Sequence, residues 1–88
     1  MNEFEQMVQM FEAEDPRLSN SDRINIYKFY KQSTAGKNTT AEPSKSNFHM
    51  WKKWKEWKSL ENMSKEEAKG NYVEAVRSVL REREFQRK

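Results

Sequence analysis

The sequence predicts an all-α domain built as a four-helix bundle. Three observations carry this. With only two glycines, two prolines and no alternating β-branched runs in 88 residues, nothing reads as a strand. Apolar residues recur at helical spacing in four separate stretches. Helix start and stop signals fall between those stretches, where a bundle needs its turns.

The first helix is expected at about residues 3–14. Phe4, Met7, Val8 and Phe11 share an arc of about 100°, with Met10 at its edge, and Pro16 ends the run. The second is expected at 20–35. Ser19-Asn20-Ser21-Asp22 is rich in N-cap residues, Ile24, Ile26, Phe29 and Tyr30 supply apolar surface, and Gly36 supplies the stop. Residues 36–47, GKNTTAEPSKSN, are polar, contain Pro43 and lack a period, so they read as a loop. A loop this long lets the second and third helices lie other than as antiparallel neighbours. The third helix, 48–60, holds the run WKKWKEW. The fourth, 64–84, opens with Ser64-Lys65-Glu66-Glu67, a capping box, and carries a stripe of Tyr72, Val73, Val76, Val79 and Leu80. Gly70 inside it costs roughly 1 kcal/mol relative to alanine. Beyond it, Phe85 is the one apolar residue of a charged tail that can dock. Residues 1–88 are expected to form a single domain.

Composition excludes several functions. Without cysteine there are no disulfides or thiolate metal sites, and His49 has no second histidine to share a zinc ion. No apolar run approaches the roughly 20 residues of a membrane span, and the acidic N-terminus lacks the features of a signal peptide. A cytoplasmic protein is expected, so the sequons at Asn38-Thr39-Thr40 and Asn62-Met63-Ser64 carry no weight. No glycine-rich phosphate loop, cysteine nucleophile or acid–base pair in apolar surroundings is present, so neither an enzyme, a bound metal nor a cofactor is expected. Charge is uneven. Residues 1–15 carry five acids and no base; the other 73 carry 17 basic and 9 acidic side chains, a net +8 that favours anionic partners.

Two helices combine aromatic rings with cations. With Ile24 at zero on the second helix, Tyr27, Tyr30, Lys31 and Thr34 occupy the arc from about 240° to 340°, and Arg23 falls near 260°. A phenol can stack on a base with its ring while its hydroxyl donates to a phosphate. On the third helix Trp51, Trp54 and Trp57 form a stripe about 120° wide, with Lys53 beside it. Trp54 and Trp57 are expected in the core and Trp51 partly exposed. A membrane surface, a nucleic acid, or a ligand half apolar and half anionic would each suit such a combination.

Three segments together resemble the acyl-CoA-binding protein family. Tyr27-Lys28-Phe29-Tyr30-Lys31-Gln32-Ser33-Thr34-Ala35-Gly36 is similar to the family's Y-x-x-Y-K-Q-A-T-x-G. Lys53-Trp54-Lys55-Glu56-Trp57 is similar to K-W-x-A-W, and Ser64-Lys65-Glu66-Glu67-Ala68-Lys69-Gly70-Asn71-Tyr72 to S-K-E-x-A-x-x-x-Y. Thr40 and Pro43 match the intervening loop. The resemblance covers about residues 4–80. It implies an up-down-down-up bundle that binds medium- to long-chain acyl-CoA as a carrier or pool former, with Tyr27, Tyr30, Lys31, Lys53 and Tyr72 as ligand contacts. Arg23, Ile24 and Lys28 are further candidates. A monomer is expected; transient contacts with membranes or acyl-CoA-using enzymes fit such a carrier, and no nucleic-acid partner does. The ligand suits these groups: cations meet phosphates, rings flank the adenine for about 1–3 kcal/mol, and each buried methylene adds about 0.8 kcal/mol.

The chain departs from the family at Glu12, where many members have a basic residue, and Arg23 is a candidate to replace that charge. Glu42-Pro43-Ser44 stands for the family's R-P-G, while Met50 and Trp51 stand where smaller or polar residues are common. The rival readings are a small basic nucleic-acid module and a membrane-surface helix built on WKKWKEW. The acidic cluster near the N-terminus opposes the first, and the need of three further helices for a core partner opposes the second.

Overall fold

The computed structural model describes residues 2–11 and 17–86. Four helices follow one another: α1 (Glu3–Met10), α2 (Asn20–Ala35), α3 (Phe48–Lys58) and α4 (Lys65–Gln86), with no strand among the described residues. Each helix starts on a side-chain cap that satisfies an otherwise orphaned amide. Asn2 accepts from Glu5 N–H, Ser19 from Asp22 N–H, Asn47 from Met50 N–H and Ser64 from Glu67 N–H. The last is half of the expected capping box; the reciprocal bond, donated by Ser64 N–H to the Glu67 carboxylate, is not formed, and that side chain stays exposed.

Three helix ends differ from expectation. The first helix stops at Met10 rather than 14, because Phe11 takes an extended backbone (φ −115°, ψ 127°) that turns its ring into the core. Its N–H still bonds to Met7 C=O at 2.9 Å, and the Arg83 guanidinium lies 5.6 Å from its ring centroid. Proline at 16 limits how far a helix can run but not how early it stops. Glu12, Glu14, Asp15 and Pro16 lie outside the described residues. The third helix stops at Lys58, not 60. Leu60 N–H, Glu61 N–H and Met63 N–H bond three residues back, and Glu61 adopts a left-handed φ of 51°. The fourth starts at Lys65 with Ser64 as its cap and runs two residues past 84; the side chain of Phe85 lies outside the described part.

Contacts along the helices set their directions. The C-terminal end of α2 meets the turn before α4 through Gln32 and Met63, so these two are antiparallel. Successive turns of α2 meet successive turns of α3, Tyr27 with Lys53 and Lys31 with Trp57, so these are parallel. In α1 and α4, Phe4 meets Tyr72 and Phe11 meets Arg83, again parallel. The result is up-down-down-up. The core is Phe11, Leu18, Ile26, Tyr72, Val76 and Val79, with Phe4, Met7, Val8, Phe29 and Ala75 packed against it. The arc of the first helix thus faces α4 as read from sequence, while Met10 stays 79% exposed. Leu80 is 38% exposed, so Tyr72, Val73, Val76 and Val79 carry the buried stripe. Among the described residues, no helix is long and apolar enough to cross a membrane, and no group of three His, Cys, Asp or Glu could hold a metal ion.

Candidate functional site

Two buried amides build the frame of the site. Gln32, fully buried in α2, donates from Nε2 to the carbonyls of Glu61 (3.1 Å) and Met63 (2.8 Å), and its Oε1 accepts from Trp57 Nε1 at 3.1 Å. One side chain therefore holds α2, α3 and the left-handed turn before α4. Trp57 Nε1 also donates to Gly36 C=O at 3.0 Å. Gly36 sits at φ 80°, the conformation glycine adopts without a Cβ clash, and ends α2 where the sequence places its stop.

Asn38, 1% exposed, does the same for the loop. Its Oδ1 accepts from Thr40 N–H (2.9 Å) and Thr40 Oγ1–H (2.6 Å), an Asx-type turn. Its Nδ2 donates to Trp54 C=O (3.2 Å), and its own carbonyl accepts from Lys58 Nζ (3.2 Å). Trp54 Nε1 donates to Thr40 C=O at 3.1 Å. The loop is therefore sewn onto α3, which its composition alone does not reveal.

Between this loop, α2 and α3 opens a cleft of about 350 Å³. Tyr27 and Lys31 come from α2, Thr40, Ala41 and Pro43 from the loop, and Met50, Lys53, Trp54 and Trp57 from α3. Each lysine lies over a ring of the opposite helix: Lys53 Nζ is 5.1 Å from the Tyr27 centroid, and Lys31 Nζ is 5.4 Å from that of Trp57. These contacts hold two ammonium groups at the rim of an aromatic trough, at roughly 0.5–1 kcal/mol each where exposed. Burial pushes the Tyr27 phenol above its ordinary value, so it stands neutral as a hydrogen-bond donor. Such a cleft can bind an apolar segment along its floor and an anion at its edge.

Of the residues nominated from sequence, Tyr27, Lys31 and Lys53 meet here. Tyr30 and Tyr72 do not. They form a separate cluster with Phe4: Tyr30 and Tyr72 are 6.1 Å apart, Phe4 and Tyr72 5.1 Å edge to face, and Phe4 and Tyr30 6.5 Å stacked. Tyr72 is 2% exposed and Tyr30 39%. Burial, and then the neighbouring Tyr30, raise the Tyr72 phenol. Ile24 lies in a neighbouring groove of about 370 Å³ with Ser21, Phe48, Lys52 and Glu56. Lys28 bonds Glu56 at 3.4 Å, and Lys52 reaches the same carboxylate at 3.4 Å. Desolvation alone would raise Glu56, but the charges and hydrogen bonds of Lys28 and Lys52 together outweigh it and leave the carboxyl lowered. Arg23 is half-buried and does not line the cleft. Thr34 Oγ1 bonds back to Tyr30 C=O at 2.9 Å, so its hydroxyl serves the helix.

Trp57 is buried as expected, but Trp54 is half-exposed: its indole N–H is needed by the loop carbonyl and its ring faces the cleft. Trp51 is likewise half-exposed, and its Nε1 donates to Glu42 Oε2 at 2.7 Å. Sequence reasoning missed Gln32, Asn38 and the partnership of Glu42 with Trp51. For Asn38 the signal was there, since Asn-x-Thr is also an Asx-turn pattern.

Residues 1–76 match the family model described as acyl CoA binding protein. Acyl-CoA-binding domain-containing protein 2 of Oryza sativa subsp. japonica is 38% identical over 80 residues, covering 91% of this chain and 88% of its own. An acyl-CoA-binding protein of Gossypium hirsutum is 36% identical over 78 residues, covering 89% and 88%. The crystal structure of Oryza sativa acyl-CoA-binding protein 2 superposes with a TM-score of 0.80 at 34% identity, covering 98% of this chain and 92% of that one. The sequence motifs, the up-down-down-up bundle and these matches agree: the chain belongs to the acyl-CoA-binding protein family.

Proposed function

We propose that the protein binds medium- to long-chain acyl-CoA thioesters and carries or pools them in the cytoplasm as a monomer. The observation that carries this reading is the α2–α3 cleft, where Tyr27, Lys31 and Lys53 edge a floor of Met50, Trp54 and Trp57. An amphiphile with phosphates at one end and hydrocarbon at the other needs that combination. Lys31 and Lys53 take the phosphates through charge-assisted hydrogen bonds. The acyl segment lies on the apolar floor, at about 0.8 kcal/mol per methylene buried. Tyr30 offers an exposed ring for the base, with Tyr72 backing it, on the other flank of α2. Binding of an intact thioester needs no reacting group, so the protein acts as a carrier rather than an enzyme. The family match favours neither rival, nucleic-acid module nor membrane-surface helix.

Native mass spectrometry of the protein as purified tests the reading. A co-purifying mass equal to an acyl-CoA, lost on thioester cleavage, supports it. A chain that stays bare after incubation with palmitoyl-CoA contradicts it.

A further inference from the structure

We propose that Glu42 and Trp51 form a latch that closes the loop over the cleft and so determines how tightly the acyl part of the ligand is held; this rests on the acyl-CoA reading above. The two walls of the cleft have different support. One is the helix α2. The other is loop, contributed by Thr40, Ala41 and Pro43. The inner end of that loop is fixed by Asn38 and by the bond from Trp54 to Thr40. The next fastening to a helix is the 2.7 Å bond from Trp51 Nε1 to Glu42 Oε2. A second loop residue grips the same indole, since Lys45 Nζ lies 5.6 Å from its ring centroid, and Lys55 of α3 lies 5.0 Å from it. Edge and π face are both engaged.

The latch residues do not line the cleft, but their neighbours do. Ala41 and Pro43 flank Glu42, and Met50 precedes Trp51. All three lining side chains are uncharged, so they face the hydrocarbon of the ligand rather than its phosphates. Glu42 and Trp51 are thus positioning residues. The bond also ties down a carboxylate that would otherwise be free to approach an anionic ligand. The acceptor stands in the loop and the donor on the helix, so the pair forms one device.

The experiment is calorimetric titration of the full chain, unaltered and as Trp51→Phe, Glu42→Ala and the double variant, with palmitoyl-CoA and hexanoyl-CoA. Trp51→Phe keeps an aromatic ring near the lysines and removes the N–H donor together with the five-membered ring, while Glu42→Ala removes the acceptor and leaves the indole whole. Each single variant should weaken palmitoyl-CoA binding roughly threefold to tenfold, the effect of losing one hydrogen bond. Hexanoyl-CoA affinity should change less than twofold, roughly, and the double variant should be no weaker than the worse single one. Amide exchange at Thr40, Ala41, Glu42 and Ser44 of the unliganded protein should accelerate in all three. Unchanged palmitoyl-CoA affinity, equal losses for both ligands, or additive losses would overturn the proposal. Failure of the unaltered protein to bind palmitoyl-CoA would instead overturn the acyl-CoA reading and the latch's part in affinity, while the exchange rates would still report whether the latch holds the loop.

Discussion

The two sides of α2 are held by different physics. Toward α1 and α4 it buries Ile26 against Tyr72, Val76 and Val79, with few polar atoms involved. Toward α3 it is joined through Gln32 and Trp57, and Asn38 and Trp54 sew the following loop onto α3, each bond aimed at a particular backbone or side-chain group. Hydrophobic contact is tolerant of small shifts, whereas a hydrogen bond between buried groups weakens steeply with misalignment. The apolar side supplies cohesion. The polar side supplies position, and that is where Tyr27, Lys31 and Lys53 stand. A small basic chain with a thin core thus keeps a defined cleft without a large interior.

The largest effects should come from cutting each side at its centre. Ile26→Ala should lower unfolding stability by about 3 kcal/mol in urea denaturation, with ligand affinity of the folded fraction retained. Gln32→Ala should cost about 2–3 kcal/mol, because it leaves the Glu61 and Met63 carbonyls without their donor, and should also weaken acyl-CoA binding by moving Trp57. Equal affinity losses from both variants would erase the distinction between the sides. Next come the rim cations. Lys31→Ala and Lys53→Ala should each reduce acyl-CoA affinity about tenfold while changing stability by less than about 1 kcal/mol, and added salt should diminish the difference.

The Glu56 pair gives a pH test. Its carboxyl is lowered in the folded protein, so its contribution is complete above the ordinary carboxylate range and is lost as pH falls through the lowered folded-state value. Acid titration of Glu56→Gln should lack that part of the stability loss; an unchanged acid limb would mean that the Lys28 and Lys52 contacts do not persist in solution. The smallest effect concerns α4 alone. A Cβ at Gly70 meets nothing within 4 Å, so Gly70→Ala should stabilise the protein by about 0.5–1 kcal/mol, read as a raised melting temperature with affinity unchanged.

The apolar side was legible in the sequence because its information is periodic. Phe4, Met7, Val8, Ile26, Phe29 and Val76 announce their faces through spacing alone. The polar frame was not, because a buried Gln32 and an exposed glutamine look alike in a sequence, and only the partners, 25 to 31 residues away, distinguish them. Trp54 reads as core in the sequence for the related reason that a stripe gives direction but not what lies opposite. Here the opposing element is a loop that needs its N–H. The division of the tyrosines shows the same limit. Tyr27 and Tyr30 share an arc on the helix wheel, yet a modest rotation between them sends one to α3 and the other to Phe4 and Tyr72.

Calorimetric titration of the unaltered protein with palmitoyl-CoA, followed by the Lys31→Ala/Lys53→Ala double variant, addresses the α2–α3 cleft most directly. Saturable one-to-one binding at micromolar concentration or tighter, largely lost in the double variant while its melting temperature is retained, is the predicted result. Binding that survives removal of both ammonium groups, or no binding by the unaltered chain, would contradict the assignment of this cleft.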